Sequence, residues 1–241
     1  MRALAAVAVG LTLLVAAAFL LYSRGFLRFN YPSLAQYPIR GIDVSHHQGV
    51  IDWSAVRAEG FEFAFIKASE GTDHVDRAFA RNWDGARVAG IARGAYHFFT
   101  FCSPGRAQAQ HFVSVVGAPF GELAPVADVE FAGNCTSWQS LEQIRTELRA
   151  FLTALEDASG RRPAVYFTRE SHARLLAGAL EDYATWPRSV FVAPTGERWS
   201  FWQFADNGRV AGIATLVDLD VFRGGRRELE SIAPARDTLE R

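Results

Sequence analysis

The sequence predicts an α/β barrel: five strand–helix units, then three plain strands, all preceded by one apolar helix. Three observations carry that expectation. From residue 41 to about residue 180, apolar β-branched runs alternate with stretches of helical periodicity. Three strand-like runs then follow, with too few residues between them for full helices. Acidic and aromatic residues also fall at or near the C-terminal ends of the strands, where a barrel of this kind carries its site.

The first strand is read at 41–45, followed by a short helix near 53–59 and a strand over Phe63-Ala64-Phe65-Ile66-Lys67. A helix at about 76–89 shows a buried stripe of Phe79, Trp83, Ala86 and Val88. The third strand spans 92–99, with a helix near 106–116, and the fourth spans 124–130. The strongest helix is expected at about 138–158, where Leu141, Ile144, Leu148, Phe151, Leu152 and Leu155 recur at helical spacing and Gly160 supplies a stop. A fifth strand at 164–168 leads to a helix at about 171–180, and the plain strands are read at 189–193, 199–204 and 216–222. Eight strands are enough to close an irregular TIM-like barrel.

With 241 residues and 49% hydrophobic content, the chain can bury one sizeable core. Its 25 basic and 26 acidic side chains nearly balance, which excludes a global signal for nucleic acid. No repeat or low-complexity linker divides it. The expected organisation is an N-terminal membrane anchor or signal segment at 1–29, a linker at 30–40, the barrel at 41–225 and a polar tail at 226–241.

Ala3 to Tyr22 carries no charge, and about 20 such residues suffice to span a bilayer. Ala16-Ala17-Ala18 offers a small-residue cleavage site, but Phe19-Leu20-Leu21-Tyr22 continues the apolar run beyond it. An uncleaved anchor in the cytoplasmic membrane, with the remainder outside, is therefore expected over a secreted form. Cys102 follows the third strand and Cys135 follows the fourth, so in a barrel their loops share one rim. A disulfide there suits an oxidising compartment and would contribute about 3–4 kcal/mol; two free thiols are the alternative.

The chemistry concentrates in two segments, Gly41-Ile42-Asp43-Val44-Ser45-His46-His47-Gln48-Gly49 and Ala124-Pro125-Val126-Ala127-Asp128-Val129-Glu130. Residues two apart on a strand share a face, so Asp128 and Glu130 project together while Val129 turns away. Two adjacent buried carboxylates are costly unless their charges are used or partnered. A paired acid at a barrel mouth suits glycosidic bond cleavage.

His46 and His47 alternate in direction, so both binding one ion with Asp43 is disfavoured, and no metal or cofactor is expected. One histidine is read as structural and the other as lining the cleft. Lys67 and Glu70 are read as substrate contacts or as an ion pair beneath the pocket. Trp53, Trp83 and Trp138 read as core or helix-packing residues, and Asp220 as a structural neighbour of Asp218.

The segments resemble the family 25 glycoside hydrolases, lysozymes that cleave bacterial peptidoglycan as N-acetylmuramidases. Besides the stretch at 41–49, the resemblance rests on Ile-Asp-Trp at 51–53, Phe-Ala-Phe-Ile-Lys-Ala-Ser-Glu-Gly at 63–71 and Gly-Ala-Tyr-His-Phe-Phe at 94–99. It continues through Asp-Val-Glu at 128–130, Phe-Trp-Gln-Phe at 201–204 and Val-Asp-Leu-Asp-Val-Phe at 217–222. The resemblance implies a barrel of five βα units closed by three strands. It also implies Glu130 as general acid, Asp128 and Asp43 as flanking acids and Asp218 as a further acid near the pocket. Tyr96, Tyr166, Trp202 and Gln203 are the remaining substrate-binding candidates, the aromatic ones offering flat faces to sugar rings.

Two departures from the family pattern are expected. The strand at 189–193 lacks a tryptophan, and the connection at 194–198 is short. A monomer acting on peptidoglycan is the leading expectation. A tethered glycan-binding protein without turnover and a metal-dependent polysaccharide deacetylase are the alternatives.

Overall fold

The computed structural model describes residues 2–27, 29–137, 140–178, 183–195 and 199–232. The strands are β1 (Arg40–Val44), β2 (Phe61–Glu70), β3 (His74–Val75), β4 (Ala92–Phe98), β5 (Val126–Val129), β6 (Ala164–Phe167), β7 (Ala184–Pro187), β8 (Phe201–Gly208) and β9 (Val217–Phe222). The helices are α1 (Arg2–Ser23), α2 (Trp53–Ala58), α3 (Phe79–Val88), α4 (Gly105–Val116), α5 (Leu141–Ser159), α6 (Arg169–Ser171) and α7 (Arg226–Ile232).

Eight strands form a barrel-like sheet in the order β7-β6-β5-β4-β2-β1-β9-β8, with β3 a short hairpin arm on β2. From β1 through β7 the neighbours are parallel; β9 runs antiparallel to both β1 and β8. Parallel bridges Thr185↔Trp199 and Arg188↔Gln203 join β7 to β8 and bring the ring together.

The alternation of each strand separates two cores. Ile42, Val44, Ala64, Ile66, Ala127, Val129, Val165 and Trp202 face outward into the layer shared with the helices. Phe63, Phe65, Val126, Tyr166, Trp186, Phe201 and Phe222 face inward. Gly41 and Gly94 leave room for the inner rings, since a Cβ would lie 2.2 Å from the Phe63 ring or 2.6 Å from the Phe65 ring. Helix α5 is the amphipathic element expected, with Ile144, Leu148, Phe151, Leu152 and Leu155 buried, and Gly160 ends it in the left-handed conformation at φ 66°.

Several elements differ from the sequence reading. The sixth barrel strand is Ala184–Pro187, and it does contain a tryptophan, Trp186. The run at 189–193 has the right β-branched character, but Phe191 and Val192 are 65% and 66% exposed. A buried strand needs an inward side chain against the floor, which Trp186 supplies by stacking on Phe65 at 4.4 Å. The helix expected at 171–180 is α6 followed by a π turn over His172–Leu176. Val88, expected in the buried stripe of α3, is exposed. Helix α5 begins at Leu141, and Trp138 lies outside the described residues. The segment expected as a polar tail opens with α7, whose Leu229 is buried with Ile39 and Phe222 in the inner core.

Among the described residues no helix backs β8 and β9; the chain entering the barrel covers them instead. Tyr31 meets Phe204 edge-on at 5.0 Å, and Tyr37 packs on Trp199 at 5.4 Å and Trp202 at 6.0 Å. Upstream, the 22 residues of α1 are long and apolar enough to cross a bilayer, and none is buried against the barrel. At 1.5 Å per residue, α1 is about 33 Å long.

Candidate active site

The C-terminal ends of the parallel strands surround a cleft of about 570 Å³. Asp43 from β1, Tyr96 from β4, Asp128 and Glu130 from the end of β5, and Tyr166 from β6 all line it. Gln203 of β8 and Asp218 of β9 complete the set brought together by the fold. Asp43 and Asp218 are direct register partners across the β1–β9 pair, and Asp128 pairs with Tyr166 across β5–β6.

Trp202 is a correction. It sits beside Gln203 and therefore points to the opposite face of β8, into the outer core. Its indole Nε1 donates to the Ser189 carbonyl at 2.9 Å, and the cleft wall is furnished by Trp186 instead. Lys67 and Glu70 pair at 2.8 Å and line the cleft rather than lying beneath it. The two histidines divide as expected. His46 is tied to Asp76 through its backbone N at 2.9 Å and its ring Nδ1 at 2.8 Å, while His47 lines the cleft.

A chain of hydrogen bonds orients the acids from behind. Tyr166 Oη donates to Gln203 Oε1 at 3.0 Å, and Gln203 Nε2 donates to Asp43 Oδ2 at 2.7 Å. Trp186 Nε1 donates to Oδ1 of the fully buried Asp220 at 2.8 Å. Asn134 fixes the backbone after Glu130, its Nδ2 donating to the carbonyls of Glu130 and Phe99, both at 2.9 Å. Beside it, Cys102 and Cys135 form a disulfide with a Cα–Cα distance of 6.2 Å, joining the loops after β4 and β5.

Burial raises the proton affinity of the whole acid set. The Asp43 carboxyl is pushed well above the usual carboxylate range by burial and by Asp220, against the opposing Gln203 hydrogen bond. Asp128 is raised by burial and by the neighbouring Glu130, with Lys67 opposing. Glu130 is raised by burial, tempered by Arg188 and Lys67. Asp218 is raised by burial and by Asp43, with Arg188 again opposing. The site can therefore hold protons at pH values where exposed carboxyls have lost them. Asp128 Oδ1 is buried and has no hydrogen-bond partner among the described residues.

Arg188, Asp206 and Trp186 were not found from sequence. Arg188 Nη2 donates to Asp206 Oδ2 at 2.6 Å, and both line the cleft. Their positions depend on where β7 lies, and the misplacement of that strand hid Arg188 and Trp186. Asp206 follows Gln203 at a register shift in β8, so simple alternation does not locate it. Among the described residues there is no cluster of three or more His, Cys, Asp or Glu side chains arranged to hold a metal.

An eight-stranded α/β barrel with a carboxyl pair at the end of β5 and further acids across the cleft suits a glycoside hydrolase. The chain belongs to the glycosyl hydrolases family 25, whose model matches residues 42–213. It is 37% identical over 205 residues to YegX of Escherichia coli K12, covering 82% of this chain and 74% of that one. It is likewise 37% identical over 210 residues to Lysozyme M1 of Streptomyces globisporus, covering 81% of this chain and 71% of the relative. Among solved structures, a family 25 glycosyl hydrolase from Bacillus anthracis superposes with a TM-score of 0.80 at 33% identity. That match covers 87% of this chain and 100% of the other.

Proposed function

We propose that this enzyme is a peptidoglycan muramidase. It cleaves the β-1,4 bond between N-acetylmuramic acid and N-acetylglucosamine, with Glu130 as general acid. The observation that carries this reading is the state of the Asp128–Glu130 pair: two carboxyls at the C-terminal end of β5, both shifted toward the protonated form, at the wall of one cleft. The family's relatives include Lysozyme M1, and their names support the substrate class.

The unpartnered Oδ1 of Asp128 suits the N–H of a 2-acetamido group. A hydrogen bond there favours the Asp128 carboxylate, so the proton shared by the coupled pair stays on Glu130. The acetamido carbonyl oxygen, oriented by Asp128, attacks the anomeric carbon as the glycosidic C–O bond breaks. Glu130 delivers its proton to the leaving oxygen. Water, deprotonated by the Glu130 carboxylate, then opens the ring intermediate and leaves a product of retained configuration. This is the substrate-assisted variant of the two-carboxylate scheme. Asp43 flanks the reacting centre, while Tyr96, Tyr166, Gln203 and Asp218 contact sugar hydroxyls. No cofactor takes part.

The chain acts as a monomer, anchored in the cytoplasmic membrane through α1 with the barrel outside. Digestion of purified peptidoglycan by the detergent-solubilised chain tests the chemistry. Fragments ending in reducing N-acetylmuramic acid, formed without added metal, are expected. Ends carrying N-acetylglucosamine, or activity abolished by chelator, overturn the assignment.

A further inference from the structure

We propose that the site-bearing end of the barrel rests on the outer face of the membrane, held by a clamp at Tyr22 and a collar of exposed rings. The cleft then works on glycan lying at the bilayer surface. The inference rests on the reading of α1 as an uncleaved anchor and adds an orientation to it.

Topology supplies the first support. β8 runs parallel to β7, so Asp206 and Asn207, late in β8, lie at the same end of the barrel as the cleft. The helix end is fastened to these residues. Tyr22 Oη donates to Asp206 Oδ1 at 3.2 Å, and Asn207 Nδ2 donates to the Tyr22 carbonyl at 2.7 Å. Two residues further, Arg209 Nε donates to the Arg24 carbonyl at 2.7 Å. Gly25 fits against this seat with φ +71°, where a Cβ would lie 2.3 Å from the Asn207 carbonyl oxygen. Asp206 also accepts from Arg188, and both line the cleft. A single side chain thus separates the last turn of α1 from the cleft wall.

The surface around this joint has the composition of a membrane interface. Tyr22, Phe29 and Phe191 form a ring cluster with centroids 5.7, 6.0 and 6.5 Å apart. Phe29 and Phe191 nevertheless remain 46% and 65% exposed, as do the adjacent Val192 at 66% and Phe26 at 65%. Contiguous exposed apolar surface of this kind marks a contact site. Arg24 is exposed, and Arg209 lies over the Phe26 ring at 4.5 Å. Aromatic rings interleaved with cations suit the boundary between acyl chains and anionic headgroups. Lipid is the occupant because the patch continues directly from the apolar helix.

The far end of the barrel supplies a control. Val88, at the end of α3 just before β4 begins, is exposed at the opposite end of the barrel from the cleft. The full chain is reconstituted in vesicles of phosphatidylethanolamine and phosphatidylglycerol, with a fluorophore on Val192→Cys or, separately, on Val88→Cys. The native cysteines are joined to each other and do not compete for the label. Lipid spin-labelled near the headgroup should quench the probe at 192 severalfold more than the probe at 88. Adding Phe29→Ser and Phe191→Ser should remove most of that difference while the chain stays in the vesicle pellet after carbonate washing. Equal quenching at 192 and 88 in carbonate-resistant protein overturns the seating and leaves the anchor standing. Release by carbonate overturns the anchor reading and the seating with it, and neither result bears on the peptidoglycan assay.

Discussion

The floor and the mouth of the barrel are built from the same strands, two residues apart, yet they do opposite things. On β2, Phe63 and Phe65 fill the floor and Lys67 reaches the cleft; on β8, Phe201 fills the floor and Gln203 reaches the cleft. On β5, Val126 lies below Asp128. The floor rings pack closely, with Phe65 4.9 Å from Phe201 and Phe201 5.2 Å from Phe222. One step higher, buried carboxyls crowd each other and each shifts its neighbour's titration. Stability is gathered at the floor, and the mouth, where the acids are held, draws on it.

If that division holds, the largest stability loss comes from the floor. Phe65→Ala removes a fully buried ring that touches Phe63, Trp186 and Phe201. Urea unfolding should show a loss of about 3–5 kcal/mol. A loss below about 1 kcal/mol would mean that the floor collapses to refill the space, and the contrast would weaken.

The mouth has one strong stabilising element, the Cys102–Cys135 link across a separation of 33 residues. Replacing both cysteines by serine should lower stability by about 3–4 kcal/mol on the loop-entropy account. Comparison of unfolding midpoints with and without the pair checks this.

Glu130→Gln should behave in the reverse way to Phe65→Ala. The side chain keeps its shape but has no proton to transfer, so turnover should fall by at least about 10²-fold. The unfolding midpoint should move little, because Glu130 is only partly buried. Lost stability with retained turnover would identify Glu130 as structural and send the search for the acid elsewhere.

The helix-backed arc from β1 to β6 was legible in the sequence because each strand there is a run of apolar residues between helical patterns. The shared facing of Asp128 and Glu130 followed from two-residue alternation, whereas Asp43 and Asp218 were named through the family resemblance. The plain-stranded arc was less legible for a physical reason. Ala184–Pro187 has few β-branched residues, and its assignment depends on Trp186 stacking on Phe65 and donating to Asp220, contacts made with distant segments. The run Ser189–Ala193 looks more strand-like in isolation but lies at the surface, where Phe191 joins the rings beside α1. The flat indole of Trp202 suits a sugar-binding cleft, but its place next to the inward Gln203 turns it outward.

The smallest effect expected is a gain, and it tests the mouth most directly. Asp128 is buried, and its proton affinity is raised by burial and by Glu130. In the unfolded chain its carboxyl titrates near the ordinary value of about 3.9. Below that pH the group is neutral in both states and carries no penalty. As pH rises through the native value, the folded protein must either hold a proton that the unfolded chain has released or bear a buried charge. Stability contributed by the neutral carboxyl is therefore full in acid and lost toward neutrality. Asp128→Asn keeps the shape and removes the charge, so it should raise the unfolding temperature at pH 7, by ~2–4 °C for each kcal/mol relieved. The same substitution should have little effect near pH 4. Thermal scans of the two proteins at both pH values decide the matter. An Asn variant less stable than the parent at pH 7 would show that the Asp128 charge is well partnered in the folded protein, and the mouth would no longer stand opposite the floor.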